Sequence, residues 1–368
     1  MTLTELHLKN FRSYHNITLP CHPEFNFIYG KNAQGKTNLI EAIYYLSALK
    51  SFRTSEKLEL IHRSANFAHI GGKLMEDGLT WDLAVTLSPQ GRQIRVNDKP
   101  PPARHEYHAL LPIILFEPRH IYLFRDAPAE RRRYLNRALF LKNPATLALV
   151  HNYEKTLAQK NRLLKDRAPR EQIAVWNEKL ATLGSEITFE RHLWCDEMNA
   201  FVAAEYRSLS GATDLLQLRY RPSVALSGNT ELTAIHAQFH ALLNERFSEE
   251  VDRRESLVGP HRDDWSAFLD ERDVGKFASQ GENRSVLIAV KLAQLKAYTA
   301  RHGKTPLFLL DDVASELDEN RCQYLFSYLC QESAQVFLTT TENRLIHERF
   351  QGRSQSFLIE HGTPTVLV

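Results

Sequence analysis

The sequence predicts an α/β fold. Its main sheet is mixed or parallel, with an antiparallel β subdomain and an inserted, mainly helical lobe. Three observations predict it. An apolar run, Phe25–Tyr29, leads through a glycine-bearing loop into the helical stretch TNLIEAIYYLSAL. A second apolar run, Pro306–Leu310, ends in two aspartates, Asp311 and Asp312. Between these lies a stretch from about 119 to 255 whose apolar residues recur at helical rather than alternating spacing.

The chain has 368 residues, enough for two or three domains of roughly 150 residues each. Apolar residues make up 43% and charged residues 24%, a globular balance that excludes wholesale disorder. No apolar run approaches the roughly 18 residues of a membrane span. The first residues, MTLTELHLKNFRSYHN, carry charges in every turn and hold no apolar signal core, so a cytoplasmic chain with no membrane partner is expected. The four cysteines, Cys21, Cys195, Cys322 and Cys330, make no CxxC pair, and reduced packing thiols are expected. With 46 basic against 44 acidic residues the net charge is +2. An anionic ligand must therefore be bound by local clusters.

Texture divides the chain into an N-terminal part (1–118), a helical insert (119–255) and a C-terminal part (256–368). In the first, Asp77-Gly78 and Pro89-Gln90-Gly91 separate alternating segments and predict antiparallel hairpins. In the insert, Val150, Tyr153, Leu157 and Leu164 lie at helical spacing up to Ala168-Pro169. A near-heptad stripe through Ile173, Trp176, Leu180, Leu183, Ile187, Trp194 and Phe201 follows. Two such helices across a proline turn predict a short antiparallel hairpin packed as ordinary core rather than as an extended coiled coil. In the last part, strands at Ser266–Leu269, Leu307–Leu310 and Gln335–Thr339 alternate with helices, which predicts a parallel sheet.

Residues Gly30, Lys31, Asn32, Ala33, Gln34, Gly35, Lys36 and Thr37 read GKNAQGKT, a full match to GxxxxGK[ST] between a strand and a helix. The glycines let successive N–H groups face phosphate oxygens, and the helix start adds its positive dipole end. Lys36 is expected at the β- and γ-phosphates of ATP, and the Thr37 hydroxyl at Mg²⁺. Asp311 is placed to hold the same Mg²⁺, and Asp312, one residue on, to orient or deprotonate the attacking water. Lys36 and Asp311 lie 275 positions apart, far more than in compact P-loop kinases, which suits an ATPase head split by a large insertion.

Ser279, Gln280 and Gly281 open the amphipathic helix that runs into SVLIAVKLAQLKAYTARHG. Ser279 and Glu282 stand in capping-box spacing. Gly281 bares N–H groups in the first turn, so the segment suits either a second phosphate contact or a plain cap. Between Arg119 and Lys142 seven basic residues face two acids, Asp126 and Glu130. Arg131, Arg132, Arg133 and Arg137 are the candidates there for DNA-phosphate contact. The other reading of the patch is a solvated helix with some arginines paired to acids.

The order of phosphate loop, serine-headed helix, paired acids and SELD (Ser315–Asp318) resembles the ATP-binding-cassette superfamily. The wide spacing is similar to that of its chromosome-maintenance and Rad50 branch. More closely, LHLKNFRSY, GKNAQGKTNLIEAIYYL, APAERRRYLN, GPHRDD (Gly259–Asp264), ASQGENR and LLDDVASELDENR resemble the RecF family of bacterial recombination and repair proteins, over essentially the whole chain. The resemblance implies an ABC-type ATPase head and a homodimer formed on ATP binding. In it Ser279, Gln280 and Gly281 would contact the γ-phosphate held by a second copy, and Asp318 would sit at that interface. It implies single- or double-stranded DNA as ligand, RecR and RecO as partners, and roles in gap repair, replication restart and the SOS response. A weak, DNA-stimulated ATPase acting as a switch is expected.

Three departures from the common cassette pattern matter. The signature is ASQGE rather than LSGGQ. The second acid is Asp312 rather than Glu, whose shorter side chain predicts slow hydrolysis. Where a histidine usually follows the strand Gln335–Thr339 the chain reads TTTEN, which leaves Thr340 as the γ-phosphate sensor. Arg12 lies where related heads use a basic residue near the nucleotide, or is a salt-bridged surface arginine. The alternative functions are a cassette subunit of a membrane transporter and a P-loop phosphotransferase. The first predicts compact motif spacing, the second a substrate pocket near Thr37.

Overall fold

The computed structural model describes residues 1–226, 231–312, 317–341, 350 and 352–367. They form two compact units, Met1–His120 with Tyr298–Val368, and Ile121–Ala297. The first unit opens with β1 (Thr2–Phe11), β2 (Tyr14–Pro20), β3 (Phe25–Tyr29), α1 (Lys36–Ala48), β4 (Ala68–Glu76), β5 (Leu79–Ser88), β6 (Gly91–Val96), α2 (Arg104–Ala109) and β7 (Ile113–Phe116). Next come α3 (Pro128–Lys142), α4 (Thr146–Lys165), α5 (Arg170–Ser210), β8 (Leu216–Arg221), α6 (Leu232–Glu245) and α7 (Phe247–Arg253). They are followed by β9 (Asp264–Leu269), β10 (Arg272–Asp273), α8 (Val274–Phe277) and α9 (Gln280–His302). The chain then returns with β11 (Leu307–Leu310), α10 (Glu319–Gln331), β12 (Val336–Thr340), β13 (Ser354–Glu360) and β14 (Thr363–Leu367).

In the first unit a six-stranded sheet runs β14-β13-β3-β12-β11-β7. All neighbours are parallel except the β13–β14 hairpin. Every residue of β3, β11 and β12 is buried, which is why these strands read as continuous apolar runs. Their carboxyl ends share one edge, with Thr340 paired to Tyr29 and Leu310 to Phe116. A second, antiparallel sheet runs β2-β1-β4-β5-β6, and its turns at Asp77-Gly78 and Pro89-Gln90 are those the sequence predicts. Helix α1 shares one core with both sheets: Ile40, Ile43 and Leu46 pack with Leu3, Leu6, Ile70 and Leu74, and with Leu309 and Phe337. Gly72 permits this, because a Cβ there would stand 2.5 Å from Leu46 Cδ2.

In the second unit α4 and α5 form the expected antiparallel pair around Tyr153, Leu180, Ala181 and Ile187, with Phe239 and Leu243 of α6. Helix α5 is longer than a short hairpin requires, at 41 residues or about 60 Å. Its second half covers β8, and Asn199 both donates to Leu218 O and accepts from Leu218 N, at 2.9 and 2.7 Å. A side-chain amide thus satisfies one residue of a strand edge.

One strand departs from the sequence expectation. The segment Ser266–Leu269 does not join the parallel sheet; β9 lies in a separate antiparallel sheet of order β10-β9-β8. The left-handed Asp270 (φ 51°) turns the chain straight back into β10. The second unit also continues to Ala297, beyond the change of texture near 255, because β8 needs β9 as its partner.

The GPHRDD segment is the polar hub of this unit. Asp263 is buried, accepting from Ser223 N at 2.6 Å and from the Tyr220 hydroxyl, with Arg191 at 3.5 Å. His261 Nε2 donates to Ser256 O at 3.0 Å, which leaves Nδ1 to accept from the Tyr153 hydroxyl at 2.7 Å. Burial holds the His261 ring well below its usual range, at about 4.

Candidate nucleotide site

The loop between β3 and α1 is curled by three left-handed or extended-positive residues, Gly30 (φ 148°), Ala33 (φ 66°) and Gly35 (φ 111°). Both glycines are also crowded: a Cβ on Gly30 would stand 2.6 Å from Ile359 O, and one on Gly35 2.7 Å from Ser13 Oγ. The Tyr14 hydroxyl donates to Gly35 O at 2.9 Å. Lys31, Asn32 and Ala33 are exposed, and Gln34 and Gly35 half-buried. Lys36 is only 7% exposed. Its ammonium donates to Gly30 O at 2.6 Å and Lys31 O at 3.0 Å, so it closes the ring of the loop. Burial lowers its pKa, and the nearby Asp312 and Asp311 oppose that shift.

The two motifs meet. Thr37, at the start of α1, donates its hydroxyl to Asp311 Oδ1 at 2.9 Å across 274 positions of sequence. Thr339 on β12 donates to the same oxygen at 2.9 Å and accepts from Asp312 N at 2.7 Å. One buried threonine therefore fixes the Asp311 carboxylate and the backbone of Asp312. Burial raises the Asp311 pKa, the hydroxyls of Thr339 and Thr37 draw it down, Asp312 raises it and Arg53 lowers it. Asp312 is half-buried with left-handed backbone (φ 49°), which turns the chain at the strand end.

Arg12 is committed to a structural pair. It is bidentate to the fully buried Glu41 of α1, Nε and Nη2 each at 2.9 Å, and Nη1 donates to Glu59 O at 2.9 Å. Glu41 also accepts from Arg53 at 3.3 Å and from the Ser51 hydroxyl.

In the second unit Ser279 and Glu282 form the reciprocal capping box expected of them. Ser279 N donates to Glu282 Oε2 at 2.7 Å, and Glu282 N to Ser279 Oγ at 3.1 Å. Ser279 and Gln280 are exposed and Gly281 is half-buried. Asn283 Nδ2 donates to Ser279 O at 3.1 Å and Arg125 Nη2 to Ala278 O at 2.5 Å, which pins the backbone before the helix. A shallow pocket beside it is lined by Ile121, Tyr122, Arg125, Gln280, Asn283 and Arg284.

The arginine candidates on α3 are unequal. Arg131 is bidentate to Asp264, at 2.8 and 2.6 Å, with its side chain 11% exposed. Arg132 donates to Asp263 O at 2.9 Å. Arg133 is 61% exposed and pairs with the neighbouring Glu130 at 2.7 Å. Arg137 is half-buried. Asp318 caps α10, accepting from Arg321 N at 2.9 Å. Ser315 and Glu316 of SELD, and the residues that follow TTT from Glu342, lie outside the described residues, while Thr340 ends β12 buried.

Thr339, Glu41, Arg53 and Tyr14 escape the sequence reading. Only the TTT run after an apolar strand hints at the first.

Loop, paired acids and sheet order define the head of an ATP-binding-cassette ATPase. Residues 2–360 match the family described as RecF/RecN/SMC N terminal domain. The chain is 33% identical over 367 residues to the DNA replication and repair protein RecF of Staphylococcus carnosus, covering 98% of this chain and 99% of that protein. With the protein of the same name from Geotalea uraniireducens it shares 34% over 362 residues, with 98% and 99% covered. A solved structure described as the recombination mediator protein RecF-ATP in RecFOR pathway superposes with TM-score 0.90 at 28% identity, covering 100% of this chain and 98% of that one. An SMC head bound to the C-winged helix domain of ScpA shares the fold, with TM-score 0.57 at 15% identity, covering 100% and 98%. The chain belongs to the RecF family.

Among the described residues no helix is long and apolar enough to cross a membrane.

Proposed function

We propose that this chain is an ATP-dependent DNA-binding protein of replication and recombinational repair, in which nucleotide binding switches a dimer. The observation that carries the reading is the Thr37–Asp311 hydrogen bond. It brings a hydroxyl and a carboxylate, an all-oxygen donor pair suited to Mg²⁺, beside a loop closed by a buried lysine. The residues fit ATP and Mg²⁺: glycines at both ends of the loop leave no room for side chains, and the acids sit at the strand ends next to it. When bound, Mg²⁺ supplies charge neutralisation at the phosphates. Gly30–Thr37 would bind the polyphosphate, Lys36 turning from the loop carbonyls to it. Thr37 and Asp311 would hold the metal, Thr339 would keep Asp311 in place, and Asp312 would orient the water.

The exposed Ser279–Gly281 turn of a second copy would complete the site. Two chains thus favour the closed state only while nucleotide is present, and slow hydrolysis reopens it. DNA is then held by basic side chains that remain open to solvent, with Arg133 the foremost candidate on α3; Arg131 serves Asp264 instead. Partners of the RecR and RecO type are part of this proposal, and the relative described in the RecFOR pathway supports it.

The test is a mobility shift of duplex, gapped and single-stranded DNA with a non-cleavable ATP analogue, with ADP and without nucleotide. Retardation that requires the triphosphate supports the reading. DNA that is never retarded, or is retarded equally in all three conditions, contradicts it.

A further inference from the structure

In GxxxxGK[ST] the fifth position contributes backbone alone to the phosphate cradle, so its side chain is free for another use. Here it is Gln34, and its bonds lead out of the loop. The turn joining β13 to β14 donates twice to this one residue. His361 N–H reaches Gln34 Oε1 at 2.6 Å, and Gly362 N–H reaches Gln34 O at 3.2 Å. Both turn residues are left-handed, with φ of 48° and 76°, which aims consecutive N–H groups the same way. The turn is itself seated, because a Cβ on Gly362 would collide with Ser13 O. Ser13 in turn accepts from Asn38 Nδ2 at 3.0 Å, in the first turn of α1. The same hairpin closes the other end of the loop, where Ile359 O packs against Gly30. The loop is therefore clasped from outside by the β1–β2 and β13–β14 turns, and Gln34 is its link to the second.

We propose that Gln34 is a positioning residue: the β13–β14 turn, through Gln34, sets the curl of the phosphate loop and with it nucleotide affinity. This deepens the reading of the loop as an ATP site and rests on it. The clasp acts on backbone that both ADP and ATP use, so both should respond alike.

The experiment uses the full chain, Mg²⁺, and fluorescent ADP and a non-cleavable fluorescent ATP analogue. Gln34→Met removes the acceptor at nearly constant length, and Gly362→Ala displaces the turn from the other side. Each is expected to weaken both nucleotides by about five- to tenfold, the worth of one or two hydrogen bonds. KM for ATP should rise while kcat at saturation stays within about twofold. Because both changes cut one link, the double variant should lose little more than the worse single variant. Gln34→Met should leave the nucleotide-free melting temperature within about 2 °C.

Unchanged affinity in Gln34→Met beside a wild type that binds, or additive losses in the double variant, overturns the proposal and leaves the ATP site standing. A wild type that binds neither nucleotide overturns both. If Gly362→Ala does not fold, Gln34→Met decides alone.

Discussion

Replacing Glu41 by Ala tests how the helix carrying Lys36 and Thr37 is held. Glu41 is 0% exposed and accepts four hydrogen bonds: two from Arg12, one from Arg53 and one from Ser51. Its loss leaves the Arg12 guanidinium, whose side chain is 17% exposed, with Glu59 alone as partner among the described residues, its backbone O at 2.9 Å and its carboxylate at 4.0 Å. Breaking a buried pair from one side costs about 3–5 kcal/mol. For a unit of this size each kcal/mol is roughly 2–4 °C, so melting of the first unit should fall by about 6–20 °C. Arg12→Ala should cost nearly as much, because it leaves the carboxylate buried. Arg53, at 41% exposure with a single 3.3 Å contact to Glu41, should cost less than about 1 kcal/mol. Scanning calorimetry of the nucleotide-free chain reads all three. A Glu41→Ala chain melting within about 3 °C of wild type, or an Arg53→Ala chain as unstable as Arg12→Ala, would refute the assignment of Glu41 as the anchor of α1.

Thr37→Ala should weaken ATP-analogue binding by about tenfold or more with Mg²⁺ and by less than about threefold in chelator, since only the metal-dependent part passes through the hydroxyl; equal losses in both conditions would remove Thr37 from the metal. His261 is neutral when folded, its pKa lowered from 6.5 to about 4, whereas in the unfolded chain it takes up a proton as pH falls. Its contribution is therefore intact above pH 6.5 and is lost as pH drops from 6.5 toward 4. The loss amounts to at most about 3 kcal/mol. Urea unfolding of wild type and His261→Gln across that range should show a shallower slope in the variant, and parallel slopes would dismiss the histidine.

What was legible in the sequence was what adjacent residues specify together. The phosphate loop needs two glycines, a lysine and a threonine at fixed spacing between a strand and a helix, and all of that lies within Phe25–Ala48. Asp311 and Asp312 were legible because a doubly buried strand must be apolar, so acids at its end stand out. The capping box at Ser279 is likewise local. What stayed hidden depends on distant partners. Arg131 reads as one of a run of basic residues because Asp264, which neutralises it, lies 133 positions away. Glu41 reads as one acid on an amphipathic helix until Arg12 and Arg53 are folded onto it. Thr339 resembles any strand threonine until β12 is paired beside β11. The strand at 266–269 departs from the sequence pattern for a related reason: alternation with helices predicts a parallel sheet, but the short Asp270–Glu271 turn makes the nearest available partner antiparallel.

Molecular mass by sedimentation, with Mg²⁺ and a non-cleavable ATP analogue and then without nucleotide, shows whether nucleotide joins two copies of the chain. Wild-type chains are expected to dimerise only with the analogue, and Lys36→Met and Ser279→Arg chains to remain monomeric alone. A wild type that stays monomeric while saturated with the analogue, or a Ser279→Arg chain that dimerises as wild type does, would contradict the nucleotide-switched dimer.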